Sequence, residues 1–245
     1  AFLLPLSLRA AAQPEPPFTE YSPLSRSAEL VRRLLSPLNA ARVMQQAKLP
    51  GRALREQSIE LGREKFAVHI PAKAPPHGYA LLVFVPPWNE ARVPTAWIGP
   101  LDRHGTIYAS AANSGNDADV LDRREPLALL AAYNLMRRYP IDPQRVYIAG
   151  FSGGSRVALR LALGYPDLFH AAVLMAGSDP IGDAQIPLPP ASLWRQFRQS
   201  TQLVYLTGQR DDVHLAMDSR SRDSMRHWCV ADTNDITIPR AGHDL

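Results

Sequence analysis

Apolar positions along this chain follow two alternating rhythms. Tyr79 to Val85 is a near-continuous apolar run of strand length, the pattern of a strand buried on both faces. Shorter runs of the same kind recur at Thr106 to Ala109, Val146 to Ala149, Ala171 to Met175, Leu203 to Leu206 and Ile236 to Ile238. Helical spacing fills the gaps. Pro126 to Tyr139 puts Leu127, Leu130, Ala131 and Leu135 on one side, with Pro126 suited to a first turn and Pro140 closing the segment. Ser155 to Leu163 continues a stripe of small residues, Gly154, Ala158 and Ala162, that lets a helix lie close to a sheet, and Gly164 can end it. Val213, Met217, Met225 and Trp228 mark a later helical stripe. Nearer the start, Ser27 to Ala47 reads as helical with Pro37 interrupting, and Leu30, Leu34, Leu38 and Val43 lie near one face. Arg52 to Ile70 reads as two strands around Gly62-Arg63, an N-terminal antiparallel hairpin. Strands alternating with helices predict an α/β fold: three layers around a mostly parallel sheet, with ligands bound beyond the C-terminal strand ends.

The chain length of 245 residues and a hydrophobic content of 46% suit one large α/β domain, expected over residues 19–245. Net charge is +4, and the basic residues are scattered. The pairs Arg32-Arg33, Arg123-Arg124 and Arg137-Arg138 read as solvated helix faces, which argues against nucleic acid as a partner. Cys229 is the one cysteine, so neither an intramolecular disulfide nor a cysteine-based zinc site can form; beside Trp228 it reads as a buried thiol. Residues 1–18 form a separate arm. Phe2 to Leu8 is apolar, Ala10-Ala11-Ala12 follows, and Gln13 to Pro17 is polar and proline-rich, the pattern of a secretory signal leading to a secreted or periplasmic protein; the competing expectation is cytoplasmic. No other run has transmembrane length. The sequence stops two residues after His243, where a further helix is expected.

The chemistry centres on Gly150-Phe151-Ser152-Gly153-Gly154. A strand precedes this G-x-S-x-G and a helix follows, the context of a nucleophile elbow. Such a turn strains the serine backbone, and only small neighbours avoid a clash. No phosphate-binding glycine spacing fits the segment. A serine nucleophile needs a base, and the base an orienting acid. Of seven histidines, only His243 lies in a loop just after the final strand. The acid is expected between Ser152 and His243, after a strand. Asp211, after Leu203 to Gly208, is the first choice and Asp212 its rival; one of the two is expected to cap the next helix. Asp179 and Asp183 are weaker candidates. An oxyanion hole needs two backbone N–H groups. Gly153 supplies one; the loop Pro86-Pro87-Trp88-Asn89 supplies the other, and since proline has no N–H this falls to Trp88 ahead of Asn89. Asn89, Trp97, Asn113 and Asn116 are candidate substrate contacts, and Trp194 belongs to a proline-rich insertion, where it either caps the cleft or, the favoured reading, packs in the core.

These residues carry a resemblance. The chain resembles the α/β-hydrolases, and among them the polyhydroxybutyrate depolymerase-like and feruloyl-esterase-like carboxylesterases. The match rests on Gly150 to Gly154, Tyr165-Pro166-Asp167-Leu168-Phe169, Ala171-Ala172-Val173 and Ala176-Gly177, with Ser152, Asp211 and His243 in the expected order. It runs from about Tyr79 to His243. Where that group has His-Gly in the oxyanion loop, this chain has Pro87-Trp88. The resemblance implies an α/β-hydrolase fold and hydrolysis of a small or polymeric carboxylic ester through an acyl-enzyme, with no metal or organic cofactor. A peptidase or acyltransferase on the same fold, and a catalytically silent binding protein, are the competing readings.

Overall fold

The computed structural model describes residues 18–244. The N-terminal signal expectation therefore lies almost wholly outside the described residues; Phe18, the last residue of that arm, is buried and packs on Phe66. Seven strands form one sheet: β1 (Phe66–His69), β2 (Tyr79–Val85), β3 (Thr106–Ala111), β4 (Ile141–Phe151), β5 (Ala171–Met175), β6 (Gln202–Gly208) and β7 (Thr233–Ile238). Their order is β1-β3-β2-β4-β5-β6-β7. All pairs are parallel except β1 with β3. The helices are α1 (Ser27–Leu34), α2 (Pro37–Gln46), α3 (Thr95–His104), α4 (Glu125–Arg138), α5 (Gly153–Gly164), α6 (Ala191–Ser200) and α7 (Asp212–His227).

Alternation along the strands separates two apolar layers. Leu81, Val83 and Val85 of β2 join Ile107, Ile148, Leu174 and Tyr205 in the larger core, closed by α1, α4, α5 and Phe197 of α6. Leu82 and Phe84 face the other way, with Tyr108, Ala149, Phe151 and Leu101 of α3. On that second face, β2, β4 and β5 also line an apolar groove of about 710 Å³ with Trp97 and Leu101. The small-residue stripe on α5 is fully buried at Ala158 and Ala162. A Cβ on Gly154 would lie 2.0 Å from the Val85 carbonyl oxygen, so this helix reaches the sheet only because its first turn lacks a side chain.

Two expectations change, and one helix was not expected. Residues 52–60 form no strand, and β1 finds its antiparallel partner in β3, with Phe66 opposite Ala111 and His69 opposite Tyr108. The local backbone is satisfied otherwise: the Tyr21 hydroxyl donates to Ile59 O and accepts from Leu61 N–H, which fixes a 3-10 turn at Leu61–Arg63. α3 was not legible in the apolar pattern, because Gly99 and Pro100 interrupt it. Cys229 is exposed, not buried, in a left-handed backbone conformation of φ 58° just after α7. Trp194 lies on α6, stacked on Phe197 at 5.7 Å and edge-on to Trp228, which is the packing reading and not the cap. Among the described residues no helix is long and apolar enough to cross a membrane.

Candidate active site

Ser152 sits between β4 and α5 with φ 54° and ψ −122°. An L-residue rarely adopts this backbone. Two neighbours make it attainable. A Cβ on Gly150 would fall 2.1 Å from Gly154 O, and one on Gly153 would fall 2.1 Å from Asn116 Oδ1. The Ser152 N–H donates to Met175 O at 2.8 Å, which ties the elbow to the end of β5.

The loops after β6 and β7 are laced together. Gln209 N donates to Ile238 O and Arg210 N to Ala241 O, both at 2.9 Å. Gly208 permits the approach: a Cβ there would stand 2.3 Å from Gly242 O. This contact carries His243 to Asp211. His243 Nδ1 lies 2.6 Å from Asp211 Oδ2, and His243 Nε2 lies 3.1 Å from Ser152 Oγ. Residues far apart in sequence thus form one hydrogen-bonded line, with the His243 ring tilted against Phe151 at 4.9 Å.

Asp211 is buried, and its other oxygen is also used. Oδ1 lies 2.7 Å from His214 Nδ1 and accepts weakly from His214 N at 3.5 Å. Burial pulls the Asp211 pKa up, but hydrogen bonds from His214 and His243, and the attraction of both rings, outweigh it and hold the carboxyl below its ordinary range. An ionised carboxylate only accepts. Both Nδ1 atoms therefore carry the protons, which leaves His243 Nε2 to accept from the Ser152 hydroxyl. Asp211 also N-caps α7, so the bond to His243 and the helix cap, which the sequence divides between Asp211 and Asp212, fall on one residue; Asp212 is exposed in the first helical turn. Asp179 pairs with Arg156, and Asp183 accepts from the Gln185 and Ile186 backbone N–H groups.

A cleft of about 710 Å³ opens at Ser152, lined by Gly153, Asn116, Arg124, Arg156, Arg160 and His214 among others. Gly153 and Asn116 are thus brought to Ser152. Trp88 follows β2, and the preceding Pro87 O accepts from Asn116 N at 3.0 Å, so its backbone borders the residue that covers Gly153. The indole packs against Phe84 and Phe151, under the Arg92 guanidinium at 4.1 Å. Asn89 turns into its own loop system: its Oδ1 accepts from Gly115 N, and its Nδ2 donates to Asp117. Asn113 is exposed, and its carbonyl accepts from Arg123. Trp97 lies on α3 against Phe84 and Tyr108, and lines the groove on the second sheet face. Asn89, Asn113 and Trp97 therefore do not line the Ser152 cleft. Sequence reasoning missed His214 and the three arginines. The available signals were the spacing of His214 three residues after Asp211, and of Arg156 and Arg160 at four-residue steps from Ser152. Asp211, His214 and His243 also have metal-ligating atoms within 4.8 Å of one another. The Asp211 oxygens and both Nδ1 atoms already bond to each other there.

The comparisons with known proteins bear on the family and the fold. Over 53 residues the chain is 43% identical to the "Putative esterase NocK" of Nocardia uniformis subsp. tsuyamanensis; this stretch is 22% of the chain and covers 13% of that protein's length. An S-formylglutathione hydrolase from Staphylococcus aureus superposes with a TM-score of 0.58 at 13% identity, over 74% of this chain and 86% of that one. An acetyl xylan esterase from Aspergillus awamori gives a TM-score of 0.55 at 12% identity, over 74% and 89%. At such identities these structures speak for the α/β-hydrolase fold. The profile of the family described as "Esterase: Putative esterase" matches residues 81–238, well over half of the sequence, and the chain belongs to that family.

Proposed function

We propose that the chain is a serine carboxylesterase with Ser152 as nucleophile, His243 as base and Asp211 as orienting acid. One observation carries the reading: the unbroken line from Ser152 Oγ through His243 to Asp211, at 3.1 and 2.6 Å, starting on a strained elbow. His243 Nε2 takes the hydroxyl proton as Oγ attacks the ester carbonyl. Asp211 holds the ring in the tautomer with Nδ1–H and stabilises the imidazolium that forms. The oxyanion is held by the Gly153 N–H, at the positive end of α5, and by the Trp88 N–H. His243 then gives the proton to the departing alcohol. A water, deprotonated by the same ring, releases the acid from Ser152. Asn116, over Gly153, borders the site where the oxyanion forms.

The test is hydrolysis of short 4-nitrophenyl esters by the wild type. A rapid release of one equivalent of nitrophenol before the steady rate marks the acyl-enzyme. Ser152→Ala and His243→Ala are each expected to lower kcat by about four orders of magnitude or more. A folded wild type inert toward the whole ester series contradicts the reading. The apolar run Phe2 to Leu8 and the alanines after it support export, which fusion of that segment to a reporter tests.

A further inference from the structure

Three guanidinium groups share the cleft with the Ser152 hydroxyl. Arg156 and Arg160 lie one and two helical turns along α5 from Ser152. Arg124 ends the π-helical turn Val120–Arg124 that leads into α4. Asp179 is the one carboxylate among the lining residues. It pairs with Arg156, Nε to Oδ2 at 3.1 Å. Arg160 pairs with Glu125, Nε to Oε1 at 2.7 Å, and donates through Nη1 to Gln185 O. Glu125 stands behind it, fully buried, and burial raises its carboxyl above the usual range despite Arg160.

Arg124 is the exceptional member. It is only 3% exposed, and it forms no ion pair among the described residues. Its Nε donates to Ser114 O and its Nη2 to Pro86 O, both at 2.9 Å, so two of its five N–H groups are spent on backbone carbonyls. Burial lowers its pKa despite the attraction of Glu125 and Asp117, neither of which is within ion-pair distance, so an anion that reaches the guanidinium stabilises its charge. Among the described residues that line the cleft, three guanidinium groups stand against the one carboxylate of Asp179, and the positive end of α5 adds to them. A neutral acyl chain gains nothing from this. A planar carboxylate matches the guanidinium fork.

We propose that the cleft takes esters bearing a free carboxylate, with Arg124, Arg156 and Arg160 holding that anion while Ser152 attacks the ester carbonyl. The inference rests on the esterase reading above. A helical turn advances about 5.4 Å, so the backbone positions of Arg156 and Arg160 stand roughly 5 to 11 Å beyond Ser152 along α5, the reach of a short aliphatic diacid half-ester.

The experiment compares kcat/KM for two matched pairs on the wild type. One pair puts the charge on the acyl side: 4-nitrophenyl hemiglutarate against its neutral carboxamide. The other puts it on the alcohol side: 4-acetoxybutanoate against its carboxamide. At least a tenfold preference for the anion in one pair is expected, and that pair identifies the side. The preference falls in Arg156→Gln, whose side chain is half exposed and tolerant, and in Arg124→Gln; Arg156→Lys restores part of it. A merely structural arginine would lower both members of a pair alike and leave the ratio unchanged. Turnover of the neutral esters with no anion preference overturns the subsite alone, as does a ratio unchanged in both glutamine variants. If no ester is turned over and Ser152 takes no fluorophosphonate, the esterase reading falls and this one with it.

Discussion

His214 and His243 lie face to face, with ring centroids 4.1 Å apart and planes 16° from parallel, and they donate to opposite oxygens of Asp211. The second histidine closes the far side of the carboxylate, which otherwise could rotate away from His243. Loss of a hydrogen bond to a charged group costs about 1.5–3 kcal/mol. His214→Leu fills the stack without the bond. We expect it to lower kcat/KM by roughly ten- to a hundredfold, far short of His243→Ala, because Asp211 keeps its bond to the base. Kinetics of the two variants side by side check this. Wild-type rates in His214→Leu would make the second ring a bystander.

That ring also shows where sequence reasoning reached and where it stopped. The elbow was legible because a steric rule dictates it. Gly150 and Gly154 are needed wherever β4, α5 and the end of β2 come so close, and the rule acts within a few residues. The meeting of His243 with Ser152 was legible from chain order. The division of labour between Asp211 and Asp212 was not, since it turns on which side chain of a short loop faces the β7 loop, a contact set by Gly208 meeting Gly242. Trp97 was misplaced because α3 was hidden by Pro100, so a residue on a helix against Phe84 read as part of the cleft loops. The arginines went unnoticed because a charge near the surface and a charge beside a nucleophile look identical until Arg124 proves buried.

The backbone strain at Ser152 predicts a trade between stability and activity. A residue held at φ 54° costs of order 1–3 kcal/mol, and glycine escapes most of it. Ser152→Gly is expected to be more stable than Ser152→Ala by about 1 kcal/mol, both being inactive. Denaturant melts of the two variants measure the difference, and an alanine variant at least as stable would show that the elbow is not strained.

The close approach behind Ser152 makes a second stability prediction. Gly154→Ala drives a methyl against the Val85 carbonyl, a backbone atom that cannot step aside, and about 3 kcal/mol of destabilisation or more is expected. Gly153→Ala meets only the Asn116 side chain, which can rotate away, so its melting temperature stays near that of the wild type. Equal losses in both would contradict the packing described for α5.

Below the site, Asp218 on α7 accepts from the Thr207 hydroxyl at 2.5 Å, while its other oxygen is buried without a partner. Burial pushes its carboxyl up to about 6 from an ordinary 3.8, against the hydrogen bonds from Thr207 and the Ser178 backbone. A raised carboxyl pKa contributes stability below the unfolded value and loses it as pH rises to the folded one. Asp218→Asn removes that loss. Its melting temperature is expected to exceed that of the wild type at pH 8, and the gap to close toward pH 4. A gap that widens toward acid would reverse the sign and refute the argument.

In the proposed mechanism Ser152 is the activated nucleophile of a line ending in Asp211. Intact-mass measurement after brief exposure to a fluorophosphonate reads this most directly. A single adduct is expected on the wild type, mapped by peptide mass to Ser152, greatly slowed in His243→Ala and absent in Ser152→Ala. An adduct on another residue, or unchanged labelling in Ser152→Ala, would contradict it.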